Sequence, residues 1–160
     1  MIAGYRALIE ALVRANVDFA IIGAVAMVLH GSARVTRDLD VCYGREQDNI
    51  RKLAAALKPF AATLRGAEPT LPFTLDARTI ESGLNFTLTS KAGDIDLLGE
   101  VTGLGGFPVV SRVSDWMEIY GMQVRVLSLD GLERAKRATG RLKDLADLAE
   151  ILEIRRRTGQ

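Results

Sequence analysis

The chain has 160 residues, of which 48% are hydrophobic and 26% are charged, and this composition excludes an intrinsically disordered protein. Twenty-one basic and twenty acidic side chains leave a net charge of +1, which excludes nucleic-acid binding through bulk charge alone. A single cysteine, Cys42, excludes an intramolecular disulfide. Because this length is typical of one domain, residues 1–160 are expected to form a single domain.

The apolar segments are too short for a membrane span. The longest uncharged apolar stretch covers residues 19–29, whereas a transmembrane helix needs roughly 20 residues. The N-terminal residues also lack the pattern of a secretion signal. Together with the single cysteine, these features predict a cytoplasmic protein that makes no membrane contact.

The first part of the chain predicts an alternation of helices and short strands. Apolar residues at helical spacing predict helices over 5–14 and 46–57. The apolar run 19–22 predicts a buried strand, which a short helix over 24–29 follows. Acidic and apolar residues alternate over 38–43, which is typical of a strand with two different faces.

The second part of the chain predicts a hairpin, further strands and two terminal helices. Glycine and proline residues predict a loop over 65–82. Strands over 84–89 and 94–98 are joined by four residues that include a glycine, which favours an antiparallel hairpin. The remaining predictions are strands over 109–113 and 123–128 and helices over 129–139 and 142–156.

Two carboxylates share one face of the strand predicted over 38–43. Side chains at positions i and i+2 of a strand point the same way, so Asp38 and Asp40 lie side by side while Leu39 and Val41 face the core. Like charges this close raise each other's pKa unless a cation lies between them. Hard divalent ions such as Mg²⁺ prefer these oxygen ligands. The spacing alone leaves two interpretations open, a metal site or two solvated acids on an edge strand.

A second acidic pair repeats this alternation in the strand predicted over 94–98. Aspartate is disfavoured in strands, so Asp94 and Asp96 there call for an explanation. If the two acidic strands are neighbours, up to four carboxylates converge, which suits two-metal phosphoryl chemistry. Asp94 follows Gly93 at a turn, where aspartate is common. We therefore predict that Asp96 is the functional acid of this pair.

Several segments occur in an order that resembles a known superfamily. They are Ile22-Gly23-Ala24 before a short helix, Asp38-Leu39-Asp40-Val41, and Ile95-Asp96-Leu97. This order resembles the nucleotidyltransferases with the polymerase-β-like fold. The abortive-infection and toxin–antitoxin subgroup is similar in further segments, which are His30-Gly31, Arg34-Val35-Thr36, Lys136, Arg141, Lys143-Asp144 and Asp147.

The resemblance implies an α/β (α+β) fold. A mixed, twisted sheet of about five strands would be flanked by helices, with a core over about 19–128 and a C-terminal helical part over about 129–157. It implies that Asp38, Asp40 and Asp96 are catalytic and bind Mg²⁺, as two ions, or Mn²⁺ in its place.

The resemblance also implies a set of nucleotide-binding residues. They are Gly23, Ala24, Arg34, Thr36 and Lys136. From the residues alone, Gly23 is equally well explained as a strand-to-helix turn, and Arg34 and Lys136 as solvated side chains. Ala24 departs from the family pattern, which has glycine or serine at this position. It keeps a backbone N–H for an anion but lacks the hydroxyl that would contact a phosphate.

Two functions of different classes follow from the resemblance. One is a metal-dependent nucleotidyltransferase that moves a nucleoside monophosphate from an NTP to a hydroxyl on RNA, protein or a small molecule. The other is a catalytically weak or inactive module that acts with a toxin or antitoxin partner protein, which Ala24 favours. A metal-dependent phosphohydrolase that uses the same acids is a third interpretation.

Overall fold

The computed structural model describes residues 5–68 and 70–160. The α-helices in this part of the chain are α1 (Arg6–Arg14), α2 (Gly23–Leu29), α3 (Gln47–Leu57), α4 (Ala77–Ser82), α5 (Phe107–Arg112), α6 (Leu129–Thr139) and α7 (Leu142–Thr158), and a 3₁₀ helix covers Lys58–Phe60. The strands are β1 (Phe19–Ile22), β2 (Asp38–Tyr43), β3 (Thr63–Leu64), β4 (Asn85–Ser90), β5 (Gly93–Leu98), β6 (Glu100–Val101), β7 (Gly105–Gly106), β8 (Ser114–Ile119) and β9 (Met122–Leu127).

Seven of these strands form one mixed sheet in the order β3-β4-β5-β2-β1-β9-β8. Strands β2 and β5 run parallel, as do β1 and β9, and the other neighbouring pairs are antiparallel. The two short strands β6 and β7 pair with each other outside this sheet. The predicted α/β fold with C-terminal helices is confirmed, and the sheet has seven strands rather than about five.

The core lies around the central strands. All four residues of β1 are buried, as expected for an apolar run with a neighbouring strand on each side. In β2, Leu39 and Val41 are fully buried, while Asp38 and Asp40 on the opposite face are half-buried. The predicted separation of an acidic and an apolar face on this strand is therefore confirmed. Helix α2 packs against β1, β2 and β9, which places its first residue beside the acidic face.

The strand predicted over 109–113 is wrong, because most of this segment forms helix α5. Its β-branched residues, of which Val110 is fully buried, suggested a strand. Pro108 lies in the first turn of the helix, where backbone N–H groups have no partner within the helix, so the lack of an N–H in proline costs no hydrogen bond. The fixed φ of proline also suits a helix. The strand of this region is instead β8, which pairs antiparallel with β9.

The loop predicted over 65–82 is only partly correct, because α4 occupies its last six residues. The Asp76 side chain accepts a hydrogen bond from the Thr79 backbone N–H at 2.8 Å and so caps this helix. The predicted hairpin is confirmed, with Ser90 opposite Gly93 at its end. Helices α1, α3, α6 and α7 also agree with the predictions within two residues at each end.

Candidate active site

Four carboxylates lie side by side on neighbouring strands. The register of the parallel strands β2 and β5 places Asp38 opposite Asp94 and Asp40 opposite Asp96. Each of these residues is half-buried. Because residues two apart on a strand share a face, all four side chains lie on the same face of the sheet. The predicted convergence of the two acidic strands is confirmed.

Gly23 brings the start of helix α2 against this acidic face. It has a φ of +66°, a conformation that side-chain-bearing residues rarely adopt. A Cβ on this residue would overlap with Oδ2 of Asp40. Its neighbour Ile22 is the register partner of Asp40 in the sheet. Gly23 is therefore required here both for its backbone conformation and for the space that it leaves to the carboxylate.

Asp40 is the most perturbed carboxyl group of the cluster. Burial, and after it the charge of Asp96 and hydrogen bonding with Asp96, raise the pKa of Asp40 to about 7, and the charge of Asp38 adds to this. Lys136 acts in the opposite direction and lowers the pKa. Oδ1 of Asp40 is buried without a hydrogen-bond partner. A buried acceptor without a partner has lost its hydration without compensation, so this oxygen is suited to receive a cation.

Arg65, the first residue of the loop predicted over 65–82, lies among the carboxylates of the cluster. It follows β3, and its backbone N–H donates to the carbonyl of Thr87 at 3.0 Å. Its guanidinium Nη2 donates to Asp96 Oδ1 at 2.7 Å. The other ion pairs of Arg65 are Nε with Asp94 Oδ2 at 3.3 Å and Nη1 with Asp38 Oδ2 at 3.6 Å. No local sequence signal identifies this residue, because the pairing of β3 with β4 brings it to the site.

The donor set fits a hard divalent cation in its chemistry. It consists of carboxylate oxygens, one of which has no hydrogen-bond partner, and burial together with the repulsion between the carboxylates raises the pKa of Asp40. Within residues 5–68 and 70–160, however, no three Asp, Glu, His or Cys side chains are already arranged to bind a metal ion. In the structure, the Arg65 guanidinium supplies positive charge to Asp38, Asp94 and Asp96.

A cavity of about 250 Å³ opens beside Gly23 and Asp40. Residues of α6 and of the start of α7 form its opposite side. The cationic residues of the lining are Lys136, Arg141 and Lys143. Negative groups of a ligand in this cavity would lie next to these cations, so the cavity suits an anionic ligand.

Lys136 also belongs to an ion-pair network in the C-terminal helices. Its Nζ lies 2.9 Å from Asp147 Oδ2 and 3.4 Å from Asp144 Oδ1. The Asp144 side chain is fully buried, and it accepts further hydrogen bonds from Thr139 at 2.6 Å and Arg141 at 2.9 Å. These hydrogen bonds, from Arg141 first and then from Thr139, hold the pKa of Asp144 well below its usual range. Lys136 is therefore a largely buried, paired lysine rather than a solvated one.

The predicted nucleotide-binding residues Ala24, Arg34 and Thr36 do not line this cavity. Arg34 donates to Asp147 at 2.6 Å and forms an ion pair with Glu150. Thr36 contacts Tyr5, whose hydroxyl donates to the Thr36 carbonyl at 2.9 Å. Ala24 is the half-buried second residue of α2. Of the five predicted residues, the structure therefore brings Gly23 and Lys136 to the cavity with Asp40.

Solved structures of other proteins share this fold. A provisionally assigned nucleotidyltransferase from Thermotoga maritima has a TM-score of 0.57 at 17% identity, over 92% of this chain and 91% of that chain. An antigenic nucleotidyltransferase-like protein from Paracoccidioides brasiliensis also has a TM-score of 0.57 at 17% identity, over 96% of this chain and 73% of that chain. The chain therefore has a nucleotidyltransferase fold, as its motifs predicted.

Comparisons by sequence add nothing to this relationship. No family model and no curated protein matches the chain. The likeness to the toxin–antitoxin subgroup stays a prediction. Among the described residues, no helix is long and apolar enough to cross a membrane.

Proposed function

We propose that the protein is a metal-dependent nucleotidyltransferase, which moves a nucleoside monophosphate from an NTP to an acceptor hydroxyl. The observation that carries this proposal is the placement of Asp38, Asp40 and Asp96 on neighbouring parallel strands beside the Gly23 turn. This placement occurs in a nucleotidyltransferase fold, and Asp40 borders a cavity that cationic residues also line.

Asp38, Asp40 and Asp96 would bind Mg²⁺, as two ions, or Mn²⁺ in its place. When bound, the metal supplies positive charge that orients the triphosphate and stabilises the charge that develops on it. Asp96 accepts the proton of the acceptor hydroxyl. The hydroxyl oxygen forms a bond to the α-phosphorus, and the bond from this phosphorus to the bridging oxygen breaks. Pyrophosphate leaves with the electron pair of that bond.

Cationic side chains on the far side of the cavity would bind the phosphates. A triphosphate carries about four negative charges, which is more than the metal can offset against three aspartate ligands. Lys136, Arg141 and Lys143 line the cavity that Asp40 also borders. For Arg34 we propose a supporting role, because it lies outside the lining of this cavity and pairs with Asp147, which is also an ion-pair partner of Lys136.

The substrates would be an NTP and an acceptor of one of three classes: RNA, protein or a small molecule. The resemblance to the toxin–antitoxin subgroup further suggests a partner protein of that kind and a cytoplasmic location. These statements rest on the resemblance rather than on the site.

An inactive nucleotidyltransferase-fold module is the second candidate, and two observations favour it. Ala24 stands where the family has glycine or serine, so the hydroxyl that would contact a phosphate is missing. Arg65 also occupies the acidic cluster that would have to bind the metal. Such a module would act by binding its partner rather than by catalysis.

Label transfer distinguishes the two candidates. The protein would be incubated with each α-labelled NTP, Mg²⁺ and total cellular RNA or protein. An enzyme attaches label to an acceptor and releases pyrophosphate, and Asp38→Asn abolishes both. Asp48→Asn is the matched control, because Asp48 is an exposed aspartate of α3 whose ion pair is with Lys52. Absence of NTP binding and of label transfer in the wild type would support the inactive module.

A further inference from the structure

Arg65 contacts the acidic cluster through one hydrogen bond and two longer ion pairs. Only its contact with Asp96 has the geometry of a hydrogen bond, at 2.7 Å, and the same nitrogen, Nη2, also donates to the Leu88 carbonyl at 2.6 Å. The contacts with Asp94 and Asp38 are ion pairs at 3.3 and 3.6 Å. The Nε–H group is buried and has no hydrogen-bond partner. An unsatisfied buried donor costs free energy, so the guanidinium is held less firmly than a fully bonded one.

The charges of the cluster do not balance with Arg65 alone. Arg65 makes ion pairs with three carboxylates, those of Asp38, Asp94 and Asp96, so a single positive charge faces three negative charges before Asp40 is counted. Asp40 is outside these contacts, and its Oδ1 has no hydrogen-bond partner. A divalent cation has twice the charge of a guanidinium and can approach carboxylate oxygens at about 2.0–2.6 Å. Such an ion would satisfy Asp40 and compete with Arg65 for Asp38 and Asp96.

The backbone around Arg65 leaves room for this exchange. Strand β3 has two residues and lies at the edge of the sheet, so Arg65 follows the shortest strand of that sheet. The next residue, Gly66, has a φ of +77° and no atom within 4 Å of the position that a Cβ would occupy. Movement of the guanidinium out of the cluster therefore does not require central strands of the sheet to move.

We propose that Arg65 is an internal cation that competes with the divalent metal, so that metal binding displaces its guanidinium from Asp38 and Asp96. This inference rests on the metal site of the proposed function. Without metal, Arg65 neutralises part of the acidic cluster and keeps the carboxylates in place. The metal affinity of the wild-type protein is lowered by the free energy needed to break the contacts of Arg65.

Calorimetric titration with Mn²⁺ alone tests the competition. Arg65→Gln should bind Mn²⁺ about tenfold or more tightly than the wild type, since a charge-assisted hydrogen bond no longer has to be broken. Arg37→Gln is the matched control: this exposed arginine precedes Asp38 and carries the same charge, but it makes no ion pair with the described residues. Its effect on Mn²⁺ affinity should be small, because exposed charges are screened. Equal or weaker Mn²⁺ binding by Arg65→Gln would overturn the proposal.

An NMR titration of the wild type with Mg²⁺ tests the displacement itself and does not depend on a folded variant. The Nε–Hε signal of Arg65 should shift as Mg²⁺ binds. The corresponding signal of Arg125, whose guanidinium lies 4.5 Å from the centre of the Trp116 ring, should stay in place. An unmoved Arg65 signal in the metal-bound protein would refute the displacement while leaving the metal site of the proposed function intact. Failure of both proteins to bind Mn²⁺ would refute the metal site, and the inference with it.

Discussion

Gly23 and the Asp40 carboxylate lie so close together that a single methyl group at residue 23 would overlap with Oδ2 of Asp40. The contact joins the turn before α2 to the acidic face of β2. The backbone at Gly23, with φ at +66°, therefore restricts the position of one carboxylate of the candidate active site.

Gly23→Ala should destabilise the protein and disturb the site together. The positive φ costs about 1 kcal/mol for alanine, and the overlap with Asp40 adds roughly 1–3 kcal/mol. Gly121→Ala is the control, because Gly121 has a φ of +77° and open space around a Cβ. Urea unfolding should show a clearly larger loss for Gly23→Ala. Equal losses in the two variants would mean that the Asp40 carboxylate moves away at no cost.

The acidic face was predictable from the sequence because its signal is local. Alternation of aspartate with aliphatic residues reports which side chains share a face, and it placed Asp38 and Asp40 on one side of β2. Gly23 was predictable for a similar reason, since an apolar strand followed directly by a short helix requires a turn between them. The same local reasoning failed for α5, where an apolar β-branched run after Pro108 forms a helix.

Arg65 was not predictable because its position depends on pairing between distant segments. It lies 31 residues before Asp96, and only the order β3-β4-β5-β2 brings its guanidinium across the sheet to the acids. The network around Asp144 was hidden for a different reason. Arg141 and Asp144 have the spacing of an ordinary surface pair, and the burial of Asp144 follows from the packing of α6 against α7.

Asp40→Asn should change how stability depends on pH in the metal-free protein. The folded carboxyl has a pKa of about 7, against an ordinary value of 3.8, owing to burial and to the charges of Asp96 and Asp38, with Lys136 opposing them. Above pH 7 the folded state bears the cost of the ionised group. As the pH falls from about 7 towards 3.8, the folded state takes up a proton that the unfolded state does not, so the wild type gains stability.

Asparagine is neutral throughout this range. The free energy of unfolding of Asp40→Asn should therefore exceed that of the wild type most at pH 8, and the difference should shrink as the pH falls towards 4. Urea unfolding of both proteins at several pH values measures this difference. Asp48→Asn serves as control, because the Asp48 side chain is 74% exposed. The difference in stability between Asp48→Asn and the wild type should not vary with pH in this way. In the presence of Mg²⁺ and NTP, the wild type and Asp48→Asn should gain stability, whereas Asp40→Asn should not. A pH-independent difference for Asp40→Asn would contradict the raised pKa.

Asp96→Asn and Asp94→Asn should differ in their effect on metal binding. Both residues lie on one face of β5, but Asp96 is opposite Asp40 and Asp94 is opposite Asp38 near the hairpin end. We expect Asp96→Asn to weaken Mn²⁺ binding by about tenfold or more, since a charged ligand is lost. Asp94→Asn should change it by only a few-fold. Calorimetry on the two variants compares them directly, and a larger loss for Asp94→Asn would reverse the assignment of the functional acid.

Lys136→Met should lower both the stability and the NTP affinity of the protein. As a solvated lysine, Lys136 would contribute little to the melting temperature. The structure changes this expectation, because its ammonium lies between Asp144 and Asp147 and its side chain is only 17% exposed. Removal of the cation leaves two poorly hydrated carboxylates without their shared partner, so the melting temperature should fall by several degrees.

The NTP affinity of Lys136→Met separates a phosphate-binding lysine from a purely structural one. It should be measured well below the melting temperature of the variant, so that loss of folded protein does not contribute. If Lys136 contacts a phosphate in the cavity that it shares with Gly23 and Asp40, affinity should fall by about tenfold or more. Lys143→Met is the control for stability, because Lys143 lines the same cavity but is exposed. It should leave the melting temperature unchanged. A lower melting temperature with unchanged NTP affinity in Lys136→Met would mean that Lys136 only stabilises the packing of α6 against α7. Arg141 and Lys143 would then be the remaining candidates for binding the phosphates.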